Sequence, residues 1–218
     1  MKKTIKECFL NSPYNSTKHD TYFDNYEILF SEYVGKKITF VEVGVLNGGS
    51  LFMWREYFGP NARIIGIDNN KTAKYWEKDG FEIFIGDQSN EDFWKEFHNK
   101  VGKKNILLDD GGHLDYQQAV TLFENIENIN DDGLIVIEDT HTSYMKEFGN
   151  PDKFSFTNLT FNLVNRINYR SSVLNKDKNY LKLPISEIRM FESIYAFKIN
   201  RNRSRLANQI QNNNKNLG

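Results

Sequence analysis

The chain is poor in cysteine and contains no long hydrophobic run. Its one cysteine, Cys8, excludes an internal disulfide bond and gives a structural zinc site no second thiolate. No apolar stretch approaches the roughly 18 residues of a membrane span, and residues 1–15 lack the apolar segment of a secretory signal. We therefore expect a protein without a membrane span in a reducing, cytoplasmic compartment.

An excess of charge of either sign is also missing. Lys and Arg number 28 and Asp and Glu number 29, which gives a net charge of -1. Such a chain has no global field that would attract a nucleic-acid backbone or an anionic membrane. We expect a small, neutral or metal-bound substrate and no nucleic-acid partner, and a homo-oligomer is compatible with this composition.

The length of 218 residues fits one medium α/β domain, which we place over residues 21–200. Residues 1–20 are polar and irregular, and this N-terminal segment could act as a flexible lid. Residues 150–184 interrupt the pattern of the domain, with a helix predicted over 156–167, and could form a lid or a substrate wall. The tail 201–218 has almost nothing to bury, so we expect it to be disordered.

Apolar runs of strand type alternate with helical patterns along the domain. Aromatic and leucine residues recur at helical spacing from Tyr22 to Tyr33, which predicts a helix on the core. The strand-type runs lie at 38–43, 63–67, 82–85, 105–108 and 134–137, and each is followed by a glycine or a carboxylate. Parallel pairing with crossover helices explains this alternation.

Two further strand-type runs, 187–191 and 194–199, are joined only by Glu192 and Ser193. So short a connection permits an antiparallel hairpin and excludes a crossover. The predicted fold class is therefore α/β, with a mostly parallel seven-stranded sheet, a C-terminal antiparallel hairpin and helices on both faces. In such a sheet the ligand crevice lies beyond the carboxyl ends of the strands.

A glycine-rich turn follows the first strand. The run from Glu42 to Ser50 contains Gly44 and Gly48, directly before an amphipathic stretch. Glycines there let the chain turn sharply and let a ligand approach the main chain. A tight turn without a ligand is the plainer interpretation. A third interpretation is a binding site for a nicotinamide cofactor, although Leu46 stands where the G-x-G-x-x-G fingerprint has its second glycine.

Polar residues at the next two strand ends favour a cofactor that contains a nucleoside. Asp68 ends the second run, where its carboxylate can accept hydrogen bonds from both ribose hydroxyls. Asp87 and Gln88 follow the third run and could border an adenine ring. Any one of these residues alone is more simply explained as part of a turn or a helix cap. Three of them in order, each at a strand end, indicate a binding edge.

Two acidic blocks follow the fourth and fifth runs. Asp109 and Asp110 lie shortly before His113, and Glu138 and Asp139 follow the next strand. Neighbouring strand ends would crowd these carboxylates and raise their pKa values unless a cation is present. Oxygen ligands of this kind favour Mg²⁺ or a similar hard divalent ion. His113, three residues beyond Asp110, is well placed to act as a base.

These motifs resemble those of the metal-dependent class I S-adenosylmethionine sugar O-methyltransferases, the family of the mycinamicin and macrocin O-methyltransferases, which has the cephalosporin hydroxylase-like methyltransferases as relatives. The resemblance spans roughly residues 16–145. The motifs that carry it are VEVG at 41–44, GGSL at 48–51, GID at 66–68, GDQS at 86–89, DDGGH at 109–113 and VIEDT at 136–140. The two acidic blocks are its specific part.

The resemblance implies a Rossmann-like fold, S-adenosylmethionine and Mg²⁺ as cofactors, and His113 as general base with Asp110 as the second catalytic residue. It implies that Lys18, His19 and Tyr22 belong to a segment that closes over the site. The metal ligands that we expect are Asp110, Glu138 and Asp139. The cofactor-binding residues that we expect are Glu42, Gly44, Gly48, Ser50, Asp68, Asp87, Gln88 and Asp109.

The implied reaction is methyl transfer to a sugar hydroxyl, on either a surface polysaccharide precursor or a glycosylated natural product. A sugar hydroxyl is a weak acid, so we expect Mg²⁺ to lower its pKa while His113 accepts the proton. Two other classes remain open: an S-adenosylmethionine-binding protein without catalysis, and an NAD-dependent oxidoreductase. A catechol-type acceptor also fits, because the metal needs only adjacent oxygens.

Overall fold

The strand-type runs form a seven-stranded sheet in the computed structural model, which describes residues 3–149, 154–168, 170, 183–202 and 209–212. Their β-branched and aromatic side chains pack on both faces of the sheet. The strands are β1 (Thr39–Val43), β2 (Arg63–Asp68), β3 (Glu82–Ile85), β4 (Lys104–Asp109), β5 (Ile129–Glu138), β6 (Ile185–Phe191) and β7 (Ile194–Ile199).

The strand order is β3-β2-β1-β4-β5-β7-β6. Strands β1 to β5 pair in parallel, while β7 runs antiparallel to both β5 and β6. The prediction of a mostly parallel sheet with a C-terminal hairpin is thereby confirmed. The order of the strands reverses between β1 and β4, and a ligand crevice is expected beyond the carboxyl ends of strands at such a point.

Helices cover both faces of the sheet, as predicted. They are α1 (Ile5–Leu10), α2 (Asp20–Phe30), α3 (Gly49–Phe58), α4 (Glu91–Val101), α5 (Asp115–Ile126) and α6 (Phe156–Asn168). Shorter 3-10 turns span Ser31–Tyr33, Lys71–Asp79, Thr140–Tyr144 and Lys146–Phe148. Because side chains alternate along a strand, Phe40 of β1 joins Trp54 in one apolar layer while Val41 joins Trp94 in the other.

Residues 1–20 are more regular than predicted. Helix α1 begins at a capping box: the Glu7 amide donates to Thr4 Oγ1 at 3.2 Å, and the Thr4 amide donates to the Glu7 carboxylate at 2.7 Å. Ile5 and Cys8 of this helix are buried. The prediction of an irregular segment is wrong here, because two buried side chains on so short a helix do not produce a recognisable period.

Residues 11–19, which we call the strap, follow α1 and cross the glycine turn. The Ser12 hydroxyl donates to the main-chain oxygen of Gly49 at 2.8 Å. The Tyr14 ring packs edge-on against Trp76, with 4.5 Å between the ring centroids. The strap is therefore tied to the core at its N-terminal end, and its action as a lid stays a prediction.

Helix α6 lies over the predicted helix, whereas Arg201, the first residue of the tail predicted to be disordered, is attached to the sheet by hydrogen bonds. The Arg201 guanidinium donates to the carbonyls of Ile126 and Ile129 and to Asp131. Most of the predicted disordered tail lies outside the described residues, at 203–208 and 213–218, as does about half of the predicted wall over 150–184, at 150–153, 169 and 171–182. Within the described ranges, the helices are too short or too polar to cross a membrane.

Candidate functional site

A cavity of about 460 Å³ opens beyond the carboxyl ends of the central strands, under the strap. The predicted cofactor residues that line it are Gly44, Ser50, Asp68, Asp87 and Gln88. The predicted catalytic and metal-binding residues, Asp110, His113, Glu138 and Asp139, all line it too. Glu42, Gly48 and Asp109 are the predicted residues that lie outside its wall. Most of the residues selected from the sequence therefore share one cavity.

Two glycines shape the turn between β1 and α3. Gly44 has a φ angle of +92°, and a Cβ atom there would lie 2.0 Å from the main-chain oxygen of Asp110. Gly48 has a φ angle of +75°, and its Cβ atom would lie 2.4 Å from the Trp76 ring. Both positions thus exclude a side chain for two reasons, backbone conformation and space. At Gly44 this leaves main-chain atoms facing the cavity.

Asp68 holds this turn from the end of β2. Its Oδ2 accepts hydrogen bonds from the amides of Val45 at 2.9 Å and Leu46 at 3.0 Å. Its Oδ1 accepts one from the Asn70 amide at 2.8 Å. A carboxylate oxygen has more than one acceptor site, so these bonds leave capacity for a ligand. The predicted contact of Asp68 with a ribose stays a prediction.

Glu42 lies behind the cavity wall and is fully buried. The Ser50 hydroxyl donates to its Oε2 at 2.7 Å, and Trp54 Nε1 donates to its Oε1 at 3.0 Å. Burial raises the pKa of Glu42 to about 7, while the positive charge of Lys18 opposes the rise. The structure therefore gives Glu42 a role in holding Ser50, and its predicted role in cofactor binding stays a prediction.

The segment after β3 is fixed by its own side chains. Asp87 Oδ1 accepts from the amide of Ser89 at 2.8 Å and from the Ser89 hydroxyl at 2.7 Å. Gln88 Oε1 accepts from the Gly112 amide at 2.8 Å, which connects this segment to the acidic block after β4. Asp109 is buried next to it. The acidic block is therefore anchored by Gln88.

Asp110 and Glu138 face each other across the lysine of the strap. Lys18 Nζ lies 2.5 Å from Asp110 Oδ2 and 2.8 Å from Glu138 Oε2. Only 2% of the Lys18 side chain and 1% of the Glu138 side chain are exposed, against 24% for Asp110. The Tyr26 hydroxyl donates to the other oxygen of Glu138. A cation thus already lies between two of the three predicted metal ligands, Asp110 and Glu138.

The electrostatics of this group follow from burial and from the shared charge. Burial opposes the charge on Lys18, but attraction to Asp110 and Glu138 prevails and raises the pKa of Lys18 above its ordinary value. Burial raises the pKa of Glu138, and Lys18 opposes that rise. Because one ammonium group faces two carboxylates, we take Lys18 to be charged at neutral pH.

Asp139 gathers the remaining polar groups. The Tyr22 hydroxyl donates to its Oδ1 and lies 2.7 Å from Ser193 Oγ. His113 Nε2 lies 3.4 Å from its Oδ2. Asp139 and His113 have φ angles of 55° and 59°, which non-glycine residues rarely adopt. Strain of this kind persists only where surrounding contacts impose it, and it often marks a functional site.

Two of the three predicted metal ligands, Asp110 and Asp139, lie with His113 in an arrangement that fits a divalent cation, and Glu138 is not part of that group. Ligand atoms of Asp110, His113 and Asp139 all lie within 4.8 Å of one another in the described part of the chain. A second group, His19, Asp139 and His141, meets the same limit nearer to the surface. Carboxylate oxygens beside an ammonium group already form an environment for positive charge. His113 could either ligate a cation or act as a base next to it.

Tyr26 and Ser193 are site residues that the sequence did not single out. Tyr26 has the spacing of a core residue on α2, and nothing in that spacing shows that its hydroxyl donates to Glu138. Ser193 lies in the two-residue turn between β6 and β7, where a polar residue is expected in any case. It contacts His141 Nδ1 at 2.5 Å. Only the tertiary structure brings these two residues to the acidic blocks.

Comparison with known proteins places the chain beside sugar O-methyltransferases, although no family model matches it. It is 32% identical over 136 residues to the 8-demethyl-8-alpha-L-rhamnosyl tetracenomycin-C 2'-O-methyltransferase of Streptomyces olivaceus, covering 59% of this chain and 35% of that protein. It is 26% identical over 192 residues to the mycinamicin VI 2''-O-methyltransferase of Micromonospora griseorubida, covering 82% of this chain and 48% of that protein. The resemblance found in the sequence is confirmed, and the chain spans about half or less of these relatives.

The fold is similar to that of the MycE methyltransferase from the mycinamycin biosynthetic pathway, solved in complex with Mg and SAH. The TM-score is 0.81 at 23% sequence identity, and the match covers 92% of this chain and 55% of that one. A further structure of MycE, with Mg, SAH and mycinamycin VI, matches with the same TM-score. The predicted Rossmann-like class I methyltransferase fold is thereby confirmed.

Proposed function

We propose that this chain is an S-adenosylmethionine-dependent and Mg²⁺-dependent O-methyltransferase that acts on a sugar hydroxyl of a glycosylated small molecule. The observation that carries the proposal is the convergence of Asp110, His113 and Asp139 in the cavity that Asp68 and Asp87 also line. A base, cation ligands and residues suited to a nucleoside thus share one site. The matching relatives are sugar O-methyltransferases, which supports the same assignment.

In this proposal the cofactor lies along the glycine turn, with Asp68 accepting hydrogen bonds from its ribose. Asp87 and Gln88 would border its adenine ring. Asp110, Glu138 and Asp139 would hold Mg²⁺. When bound, S-adenosylmethionine supplies the methyl group on a positively charged sulfur, and Mg²⁺ lowers the pKa of the acceptor hydroxyl.

His113 accepts the proton of the acceptor hydroxyl. The His113 Nε2 atom lies 3.4 Å from Asp139 Oδ2, so the ring and the carboxylate are close enough to interact. The Asp139 carboxylate then stabilises the imidazolium that forms. Because the positive charge of the sulfonium disappears during transfer, the main task of the cavity is to align the acceptor oxygen with the methyl group.

A methyl-transfer assay tests the proposal. The purified chain is incubated with S-adenosylmethionine labelled in its methyl group, in parallel with glycosylated natural products and with nucleotide sugars as acceptors. Transfer is expected with Mg²⁺, lost with EDTA and restored by added Mg²⁺.

His113→Gln and Asp110→Ala should lower kcat by about 10² to 10⁴-fold while S-adenosylhomocysteine binding survives. His98→Gln, a histidine outside the cavity wall, is the control. Wild-type turnover in His113→Gln or Asp110→Ala would contradict the mechanism.

The same assay separates the alternatives. Binding of S-adenosylhomocysteine without transfer to any acceptor would favour a binding protein without catalysis. Thermal stabilisation by NAD and not by S-adenosylhomocysteine would favour an oxidoreductase. Transfer only to nucleotide sugars would favour a precursor of a surface polysaccharide, which stays a prediction, as does the cytoplasmic location.

A further inference from the structure

Lys18 places its ammonium group between two carboxylates of the cavity, those of Asp110 and Glu138. Its ammonium group lies 2.5 Å from Asp110 Oδ2 and 2.8 Å from Glu138 Oε2, and its side chain is almost wholly buried. Two carboxylates so close together and so poorly solvated are costly unless a cation lies between them. In the structure the ammonium group of Lys18 is that cation.

A divalent cation bound by Asp110 and Glu138 cannot share this position with the ammonium group. Mg²⁺ binds oxygen at about 2.0 to 2.1 Å in a near-octahedral shell. An ammonium nitrogen within hydrogen-bond distance of the same oxygens fills part of that shell and repels the metal. Lys18 and the metal therefore compete for one pair of carboxylates.

Withdrawal of Lys18 also moves the part of the strap that lines the cavity, residues 15–19. The strap is held at its other end by the bond from Ser12 to Gly49 and by the packing of Tyr14 on Trp76. These contacts do not involve the acidic pair. Residues 15–19 can therefore leave the cavity while residues 12–14 remain attached, once the His19 ring also leaves the rings of Tyr22 and His141 that it contacts.

We propose that Lys18 is an internal counter-ion which keeps the strap over the cavity until a divalent cation takes its place between Asp110 and Glu138. Metal binding then precedes opening of the cavity to the acceptor. The inference rests on the proposed function only in taking Asp110 and Glu138 as metal ligands. It assigns to Lys18 a role in the order of loading and none in the chemical step.

Binding of Mn²⁺, measured by calorimetry and by loss of the free-ion paramagnetic resonance signal, tests the competition. If the strap is closed in nine or more of ten molecules, removing the competing lysine tightens the apparent affinity for Mn²⁺ about tenfold or more. We therefore expect Lys18→Met to bind Mn²⁺ more tightly than the wild type by this factor. Lys6→Met is the matched control, since this lysine of α1 is 52% exposed and pairs with Asp20, and its affinity should equal that of the wild type. Equal or weaker binding in Lys18→Met overturns the inference.

Hydrogen exchange of the wild-type chain tests the movement without a substitution that could impair folding. Amides of residues 15–19 should exchange faster with saturating Mn²⁺ than without it, while residues 5–10 of α1 should not change. Unchanged or slower exchange at 15–19 overturns the inference, as does absence of Mn²⁺ binding in every variant. Neither measurement uses methyl transfer, so a failure of the proposed function is detected separately in the transfer assay.

Discussion

The side-chain amide of Gln88 donates to both carboxylate oxygens of Asp109, each at 2.9 Å. Burial raises the pKa of Asp109 to about 6, although the hydrogen bonds from Gln88 and from the Gly111 amide oppose that rise. The next residue, Asp110, faces the cavity and pairs with Lys18. Two adjacent acids therefore have different environments: Asp109 braces the end of β4, and Asp110 is available to a ligand.

Gln88→Leu should destabilise the fold in a pH-dependent way. The substitution removes the hydrogen bonds that Gln88 donates to the buried Asp109 carboxylate and leaves the one from the Gly111 amide, at a cost of about 1 to 3 kcal/mol when the carboxylate is charged. Asp109 has a folded pKa above its unfolded value, so it is largely protonated below pH 6 and needs those donors less there. The difference in unfolding free energy from the wild type should therefore grow as pH rises from 5 to 7.5, as measured by urea denaturation.

Gln117→Leu is the control for this prediction. Gln117 also lines the cavity, but its side chain accepts from the Leu114 amide and does not contact Asp109. Its effect on stability should not vary between pH 5 and 7.5. If Gln88→Leu lowers the unfolding free energy by the same amount at both pH values, the charge on Asp109 is not what the amide stabilises.

The positions of the acidic blocks could be predicted because they depend on a general property of parallel sheets. Asp110 follows β4 and Glu138 ends β5, and neighbouring parallel strands bring such ends together whatever the details of packing. The C-terminal hairpin followed in the same way from the short link at Glu192 and Ser193. These inferences need only the order and direction of strands.

The partners of those acids could not be predicted, because they come from distant segments through tertiary packing. Lys18 is 92 residues from Asp110 in sequence and 120 from Glu138. The resemblance to relatives marked Lys18 as part of a closing segment but did not indicate an ion pair. Glu42 shows the converse: a residue at a strand end can point into the core, where Ser50 and Trp54 bind it.

Lys104, at the start of β4 and thus at the opposite edge of the sheet, should make stability depend on pH. It is fully buried, its Nζ lies 3.2 Å from His98 Nδ1, and burial lowers its pKa to about 7. Between pH 7 and the ordinary lysine pKa near 10.4, the unfolded chain binds a proton that the folded chain does not. The contribution of Lys104 to the free energy of unfolding therefore rises with pH in that window, by up to about 1.4 kcal/mol per pH unit.

Lys104→Met should abolish this contribution. Relative to the wild type, the unfolding free energy of the variant should fall as pH rises from 7.5 to 9.5, measured by urea denaturation at each pH. Lys103→Met is the control, because Lys103 precedes Lys104 in the chain and is exposed. The pH profile of this variant should be parallel to that of the wild type. Parallel profiles for Lys104→Met as well would show that Lys104 is charged in the folded chain.

Gly44→Ala should disturb the acidic block as well as the turn. A methyl group at Gly44 would meet the main-chain oxygen of Asp110 at 2.0 Å, so β4 or the turn must move. Gly35→Ala separates this effect from backbone strain: Gly35 has a φ angle of +75°, but its Cβ atom would meet nothing within 4 Å. Gly35→Ala should cost about 1 to 2 kcal/mol without altering Mn²⁺ affinity. Gly44→Ala should cost more and weaken Mn²⁺ binding, and equal Mn²⁺ affinities would contradict the prediction.

Tyr22→Phe should weaken cation binding through Asp139, which it touches, without removing a proposed ligand. The Tyr22 hydroxyl donates to Asp139 Oδ1 and so fixes the direction of that carboxylate. Loss of a hydrogen bond that orients a ligand typically lowers metal affinity by about 10 to 100-fold, and this range is expected for Mn²⁺.

Tyr33→Phe is the matched control. The buried Tyr33 hydroxyl donates to the main-chain oxygen of Asp132 at 2.7 Å, away from the cavity, so only stability should fall. Equal Mn²⁺ affinities in the two variants would mean that Asp139 is either held by other contacts or not a ligand. Asp139→Asn decides between these, since it weakens Mn²⁺ binding only if the carboxylate is a ligand.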